Sequence, residues 1–236
     1  MPDKLGEMLA IATAILSLAA AVVFWLGFAT REVKGATGAA VKTASTGLLA
    51  VLALAQAATL APGGWFWLVP LGLALGALGD LMLALGGVRR FLAGVVAFGL
   101  GHLAYAGGFF WRGAQIGFDG VSLAEGLALT GLLALLLSTE LWLAPRTGDL
   151  RQPVRGYVGL IGLMGVVALL LPVHAGQGLL RAGAALFILS DLMLALQLFV
   201  VRDAGWRRRL ARALWPAYWA GQALILWGAV LYAGVE

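Results

Sequence analysis

Two aspartates, Asp80 and Asp191, lie inside runs otherwise apolar enough to cross a bilayer, and each opens the same string, Asp-Leu-Met-Leu-Ala-Leu. A carboxylate in hydrocarbon is costly unless it faces a polar interior, so an intramembrane acid marks a site for proton transfer, ion pairing or ligand binding. Two acids in matching frames suggest a paired site. Such a pair supplies two protonation states at once, because like charges in low dielectric cannot both ionise cheaply.

Other polar residues fall at the same level. Counting 1.5 Å per residue from the flanking basic residues places Lys42, Asp80, Gln222, Asp191 and His102 about 12 to 18 Å into the apolar layer, its inner half or midplane. Lys42, Ser45 and Thr46 share a helix face, as do Phe98, His102 and Tyr105, and as do Tyr218 and Gln222. Tyr157 and Glu140 reach that level from two further helices. Small residues beside the acids, namely Gly76, Ala77 and Gly79 before Asp80 and Ser190 before Asp191, let neighbouring helices approach closely. The implied object is a polar cavity open toward the cytoplasmic leaflet or cytosol. Asp80 and Asp191 are its candidate reacting groups, with His102 beside them; Lys42 is the candidate counter-ion, and Tyr105, Tyr157, Tyr218 and Gln222 are candidate lining residues. Glu140 is read as snorkelling to the interface, and His174 as a loop residue with no role.

The elements that must position these residues are membrane helices. With 62% hydrophobic residues, 11% charged residues and a mean hydropathy of +0.96, the chain is excluded from the ordinary soluble domains. The absence of Cys removes disulfides, thiolate nucleophiles and Cys-ligated metals. Apolar runs of bilayer length predict eight helices, at roughly 8–29, 37–58, 65–86, 91–111, 121–143, 154–172, 178–201 and 214–233. Pro62-Gly-Gly64, Gly86-Gly87, Pro145, Gly148, Pro153 and Pro172 mark the joints. The first run is expected to be a retained helix rather than a cleaved signal.

Basic residues fix the expected orientation. Arg31, Lys34, Arg89, Arg90, Arg146, Arg151, Arg155, Arg202, Arg207, Arg208, Arg209 and Arg212 all belong to odd-numbered loops. The positive-inside rule puts these loops in the cytoplasm and both termini outside. The net charge of +5 is therefore a topology signal and implies no nucleic-acid partner. Trp65, Trp67, Trp111, Trp142 and Trp206 are expected in interfacial belts. The fold class is all-α: a polytopic bundle of eight transmembrane helices, read as one unit, 1–236. The Asp80 and Asp191 helices, third and seventh, share an orientation. Two four-helix repeats, 1–116 and 117–236, stay open as an internal duplication, because the chain repeats weakly outside the shared string.

Gly79-Asp80, then Phe91, Gly94, Phe98, His102 and Tyr105, then Tyr157 with Met164, then Phe187, Ser190-Asp191, Ala195 and Phe199, then Tyr218 with Gln222-Ala-Leu-Ile225 resemble the YhhN-like membrane protein family. The likeness runs in one order from about Lys42 to Ile225. Its most specific parts are the Gly-Asp…His-x-x-Tyr and Ser-Asp blocks. The family often has Lys-Pro in the second helix where this chain has Lys42-Thr43.

Characterised members of that family are lysoplasmalogenases. The resemblance implies a bacterial cytoplasmic-membrane hydrolase that cleaves the vinyl ether bond of a 1-alkenyl lysophospholipid to a fatty aldehyde and glycerophosphoethanolamine or glycerophosphocholine. It implies Asp80, Asp191 and His102 as catalytic residues and Lys42, Tyr105, Tyr157, Ser190, Tyr218 and Gln222 as substrate contacts. The chemistry suits an intramembrane acid pair. Vinyl ethers hydrolyse by protonation at the β-carbon, giving an oxocarbenium ion that water captures, which is the two-carboxylate logic of glycosidases. One aspartate would be the acid and the other the anion, and whichever approaches Lys42 would be the anion. No cofactor is required; the partners are the lipid substrate and the bilayer. Two other readings stand beside this one. A proton-coupled transporter or lipid flippase would use the same acids, although clustering toward one side favours a pocket. Metal-dependent lipid hydrolysis would use Asp80, Asp191 and His102 as ligands, although no His-x-x-x-His or Glu-x-x-His spacing supports it.

Overall fold

The computed structural model describes residues 4–31, 34–60 and 64–234. Eight α-helices fill these segments: α1 (Lys4–Gly27), α2 (Gly35–Leu60), α3 (Leu68–Leu85), α4 (Val88–Ile116), α5 (Leu123–Trp142), α6 (Arg151–Leu169), α7 (Gln177–Ala195) and α8 (Ala204–Ala233). There is no strand among the described residues. In hydrocarbon every backbone N–H and C=O must be paired within its own segment, and long apolar helices meet that demand. Among the described residues seven helical segments are long and apolar enough to cross a membrane. The chain is thus a multi-pass membrane protein. Pro62 and Gly63 of the expected second joint lie outside the described residues; Gly64–Trp67 forms a short 3-10 turn leading into α3.

Two boundaries depart from the hydropathy reading. Helix α8 begins ten residues earlier than the apolar run, because Asp203 caps it, its Oδ1 accepting the Trp206 amide at 2.8 Å, and the arginine-rich turns that follow are helical although polar. Helix α4 runs on to Ile116, where Gly117, at φ +98°, lets the chain leave in a conformation closed to other residues. At the start of α5, Ser122 and Glu125 form a reciprocal capping box.

The helices pack in sequence, α1 on α2, α2 on α3 and α3 on α4, and α7 lies along α8; α6 meets α4, while α5 is peripheral and buries no residue. Glycine sets the closest approach. A Cβ on Gly183 would fall 2.8 Å from the Gly221 carbonyl oxygen and one on Gly228 2.8 Å from the Leu180 amide nitrogen, so α7 and α8 touch backbone to backbone. On α3 the row Gly72, Gly76 and Gly79 leaves space that Tyr105, Gln222 and Phe98 occupy, with added Cβ atoms 2.5 to 2.7 Å from their nearest atoms. Pro216 lies inside α8 and cannot donate to the carbonyl of Arg212; Trp25 of α1 donates its indole N–H there at 2.9 Å instead. Trp215 and Trp219 likewise donate to the Ala21 carbonyl and the Ser17 hydroxyl, fastening α8 to α1.

Trp67, Trp111 and Trp206 are exposed, whereas Trp65 is fully buried, edge-on to Phe66 and Tyr232 in the core, so it belongs to no belt. At the end of the bundle opposite Arg207, Arg181 pairs with Glu125 and donates to the carbonyls of Leu169 and Leu171, which satisfies the open end of α6.

Candidate active site

The two aspartates anchor separate polar clusters. Lys42 of α2 places its Nζ 2.9 Å from Oδ1 of Asp80, while Thr46, one turn on, and Tyr218 of α8 donate their hydroxyls to Oδ2 at 2.8 and 2.9 Å. The network continues outward. Gln222 donates its amide to the Tyr218 oxygen at 3.3 Å and accepts the Tyr105 hydroxyl on its Oε1 at 2.5 Å. Every group facing Asp80 is a donor, a set that matches the carboxylate form and its four lone-pair sites. Asp80 is 1% exposed. Lys42 also lies over the rings of Trp215 at 5.5 Å and Phe24 at 6.0 Å.

Asp191 keeps different company. The Tyr157 hydroxyl of α6 donates to its Oδ2 at 2.5 Å, and His102 Nε2 of α4 lies 3.4 Å from that same oxygen and 3.0 Å from the tyrosine oxygen. His102 is fully buried and its Nδ1 has no hydrogen-bond partner. A buried N–H without an acceptor costs more than a bare lone pair, so the neutral ring with its proton on Nε2 fits best. In that form the imidazole donates to the Tyr157 oxygen and lies beside Asp191 Oδ2. Both contacts use Oδ2, which leaves Oδ1 for the cavity that Asp191 lines, and the side chain is 15% exposed.

No hydrogen bond or ion pair joins Asp80 to Asp191. Phe187 stands between the clusters, its ring 4.5 Å from the His102 ring and 5.2 Å from that of Tyr218, with Phe98 edge-on to both Phe187 and Tyr218. The arrangement is two single carboxyls in different settings rather than one shared pair.

Two cavities meet beneath them. One, about 100 Å³, is almost wholly apolar, walled by residues such as Phe98, Leu135, Leu136, Ile161 and Ile188, and its polar members include Asp191 and Tyr157. The other, about 720 Å³, is lined by Arg31, Lys34, Lys42, Gln197, Arg207 and Arg208 together with Phe24 and Trp215. Leu83, Phe91, Leu194 and Leu198 belong to both. Leu198 lies in a π-helical turn, Leu196–Val200, that ends the α7 segment and shifts its last side chains relative to a regular helix.

Of the residues picked out by sequence, Lys42, Tyr105, Tyr218 and Gln222 gather at Asp80, and His102 and Tyr157 at Asp191. Ser190 is buried with its hydroxyl turned to the carbonyl of Phe187 in its own helix, and it lines neither cavity. Glu140 forms a forked ion pair with Arg155 and joins neither cluster. His174 packs edge-on against Tyr232. Reading the sequence missed Phe187 as divider, Trp215 as the platform for Lys42, and Leu83 with Leu194 as the wall between cavities. For Trp215 a signal existed, its place three residues before Tyr218 on the Gln222 face. Among the described residues no three His, Asp or Glu side chains converge as ligands for a metal.

The model of one protein family, the YhhN family, matches residues 37–229. No curated protein and no solved structure matches the chain.

Proposed function

The chain belongs to the YhhN family, and from that premise we propose that it hydrolyses the vinyl ether bond of a 1-alkenyl lysophospholipid, with Asp191 as the acid. The observation that carries this reading is the placement of Asp191, held through Oδ2 by Tyr157 with His102 beside it, on an apolar cavity that adjoins a basic one. A lysolipid has the same division: one hydrocarbon chain, a reacting linkage beside it, and a phosphate.

In the proposed cycle the vinyl ether and the first few methylenes lie in the apolar cavity, with the rest of the chain toward lipid at peripheral α5. Asp191, in its acid form, gives the Oδ1 proton to the β-carbon, and the C=C electron pair forms the new C–H bond. This leaves an oxocarbenium ion beside the new carboxylate. Tyr157 stabilises that carboxylate by donating to Oδ2, His102 backs Tyr157 through the tyrosine oxygen, and the apolar walls strengthen the attraction of the carboxylate to the cation. Water then adds to the cationic carbon and returns a proton to Asp191. The resulting hemiacetal collapses with proton transfer to the ether oxygen, C–O cleavage and release of the aldehyde and the glycerol hydroxyl. Asp80, sealed under Lys42, Thr46 and Tyr218, serves as the fixed anion that holds Lys42 at the edge of the basic cavity. With the arginine-rich loops in the cytoplasm under the positive-inside rule, the substrate enters from the inner leaflet.

The test is aldehyde release from a defined alkenyl lysolipid by the purified protein, beside Asp191→Asn checked for folding. The expected loss is at least about 10²-fold, the low end for a general acid. An Asp191→Asn variant that is folded and fully active sinks the assignment, and a parent that releases no aldehyde across chain lengths and head groups sinks the reaction and returns the transport reading.

A further inference from the structure

The basic cavity has a composition that discriminates among head groups. Five of its lining side chains are cationic, Arg31, Lys34, Lys42, Arg207 and Arg208, and among the described residues that line it none is acidic. Among the described residues, Lys42 alone of these five has a carboxylate partner, Asp80, which is buried behind it. The Lys34 ammonium is held by the carbonyls of Ala29 and Arg31, and the Arg31 guanidinium carbon lies 4.7 Å from the Phe28 ring centroid, so these cations are ordered by uncharged groups that leave their charge in place. A choline or ethanolamine ammonium is recognised by a carboxylate or by aromatic faces. Here the faces of Trp215 and Phe24 are already occupied by Lys42, and Phe24 also faces Lys34.

We propose that this cavity selects lysolipids whose head group is net anionic, above all a terminal phosphate monoester, over those bearing zwitterionic phosphocholine or phosphoethanolamine. A phosphate monoester carries roughly −1.5 to −2 charges near neutral pH, whereas the zwitterions carry none net. The cationic walls attract the first and repel the ammonium of the second. This inference rests on the reading of the site as a lysolipid ether hydrolase, and it changes which head groups that reading favours.

The experiment uses the purified protein in detergent with saturated 1-O-alkyl lysolipids, which lack the C=C bond and cannot be turned over. Binding of 1-O-alkyl-glycerol-3-phosphate is compared with binding of the phosphocholine lipid of equal chain length, for the parent and for the double variant Arg207→Gln/Arg208→Gln. The expected result is about tenfold tighter binding of the phosphate lipid, weakened by salt and abolished as a preference in the double variant. Equal affinities, or a preference that survives the double substitution, overturn the proposal. Glycerol 3-phosphate competing as well as the phosphate lipid would assign the cavity to a water-soluble phosphate and also overturn it. Aldehyde release is assayed separately on the two alkenyl lipids. If neither is cleaved while the alkyl phosphate still binds selectively, the reaction reading fails and the head-group preference stands; cleavage of both with equal kcat/KM and equal alkyl binding does the reverse.

Discussion

Leu83 and Leu194 stand in the same place in the two copies of the Asp-Leu-Met-Leu-Ala-Leu string, each three residues after its aspartate, and both line both cavities. The helical period puts each leucine one turn beyond its acid on nearly the same face. The repeated string therefore carries a carboxyl into each of two different environments and supplies two sides of the wall between the apolar and basic cavities. Enlarging Leu194 to Trp is expected to obstruct the passage between chain and head-group cavities. KM should rise and aldehyde release should fall at least about tenfold, because a misplaced substrate forfeits the benefit of orientation, while the circular dichroism spectrum of α-helix is retained. Unchanged kinetics would show that substrate does not cross this wall.

Protonation of carbon leaves an isotopic signature. In heavy water the aldehyde should carry one deuterium on the carbon next to its carbonyl, detectable by mass spectrometry after immediate trapping. Aldehyde without that label would exclude β-carbon protonation and, with it, the role assigned to Asp191.

Tyr157 supports Asp191 through one hydrogen bond, at 2.5 Å. Tyr157→Phe is expected to lower kcat about tenfold, the value of one charge-assisted hydrogen bond in the reacting state, with little change in KM. A loss confined to KM would make Tyr157 a substrate contact instead.

The Lys42–Asp80 pair is a matter of stability as well as function. Asp80→Asn leaves a cation in the protein interior without its counter-charge, a change that costs about 3 to 5 kcal/mol at buried pairs. The midpoint of thermal unfolding in detergent should fall for the single variant and recover in part in Lys42→Met/Asp80→Asn. Failure of the second change to recover any stability would mean that the hydrogen bonds from Thr46 and Tyr218, not the ion pair, dominate the cluster.

Lys34, in the loop before α2, has its ammonium pushed down to about 8 by burial and, secondarily, by the charge of Lys42, against 10.5 for an ordinary lysine. Between those values the unfolded chain holds a proton that the folded chain has released, so stability rises with pH across that window. Below pH 8 the full cost of the buried charge is present. Unfolding midpoints measured across the window should therefore rise more in the parent than in Lys34→Gln, and parallel curves would refute the assignment.

Glycine substitutions separate close packing from conformational freedom. Gly183→Ala drives a Cβ to 2.8 Å from the Gly221 carbonyl oxygen and the Ile225 amide nitrogen, backbone atoms that cannot turn aside, and should destabilise by about 1 to 3 kcal/mol. Gly126→Ala meets no atom within 4 Å and should be neutral or stabilise by up to about 1 kcal/mol. Equal effects at the two positions would argue against a backbone contact between α7 and α8.

The helices and their order were legible because burial in hydrocarbon demands long apolar segments, and composition alone reports those. Their ends were less legible. The first turns of α8 carry Arg207, Arg208 and Arg209, so hydropathy falls where the helix continues; the cap at Asp203, not apolarity, marks its start. Trp65 shows the converse limit, an aromatic residue near a helix end that packs inward because Tyr232 and Phe66 offer it a face.

For the site, residue order is enough to name the cast: a polar residue kept inside an apolar helix is improbable without a polar neighbour, so Lys42, Asp80, His102, Asp191 and Gln222 stand out. Depth along each helix followed from the rise per residue. Azimuth and neighbour choice did not, since two residues at one depth can sit on opposite sides of a bundle. Helix packing settles that Lys42 pairs with Asp80, that Tyr157 and His102 belong to Asp191, and that the ring of Phe187 lies between. Those outcomes depend on which helices meet. Here that is fixed by the glycine rows of α3, α7 and α8, whose missing side chains let the helices, and the tyrosine and glutamine carried on them, come close enough to share hydrogen bonds.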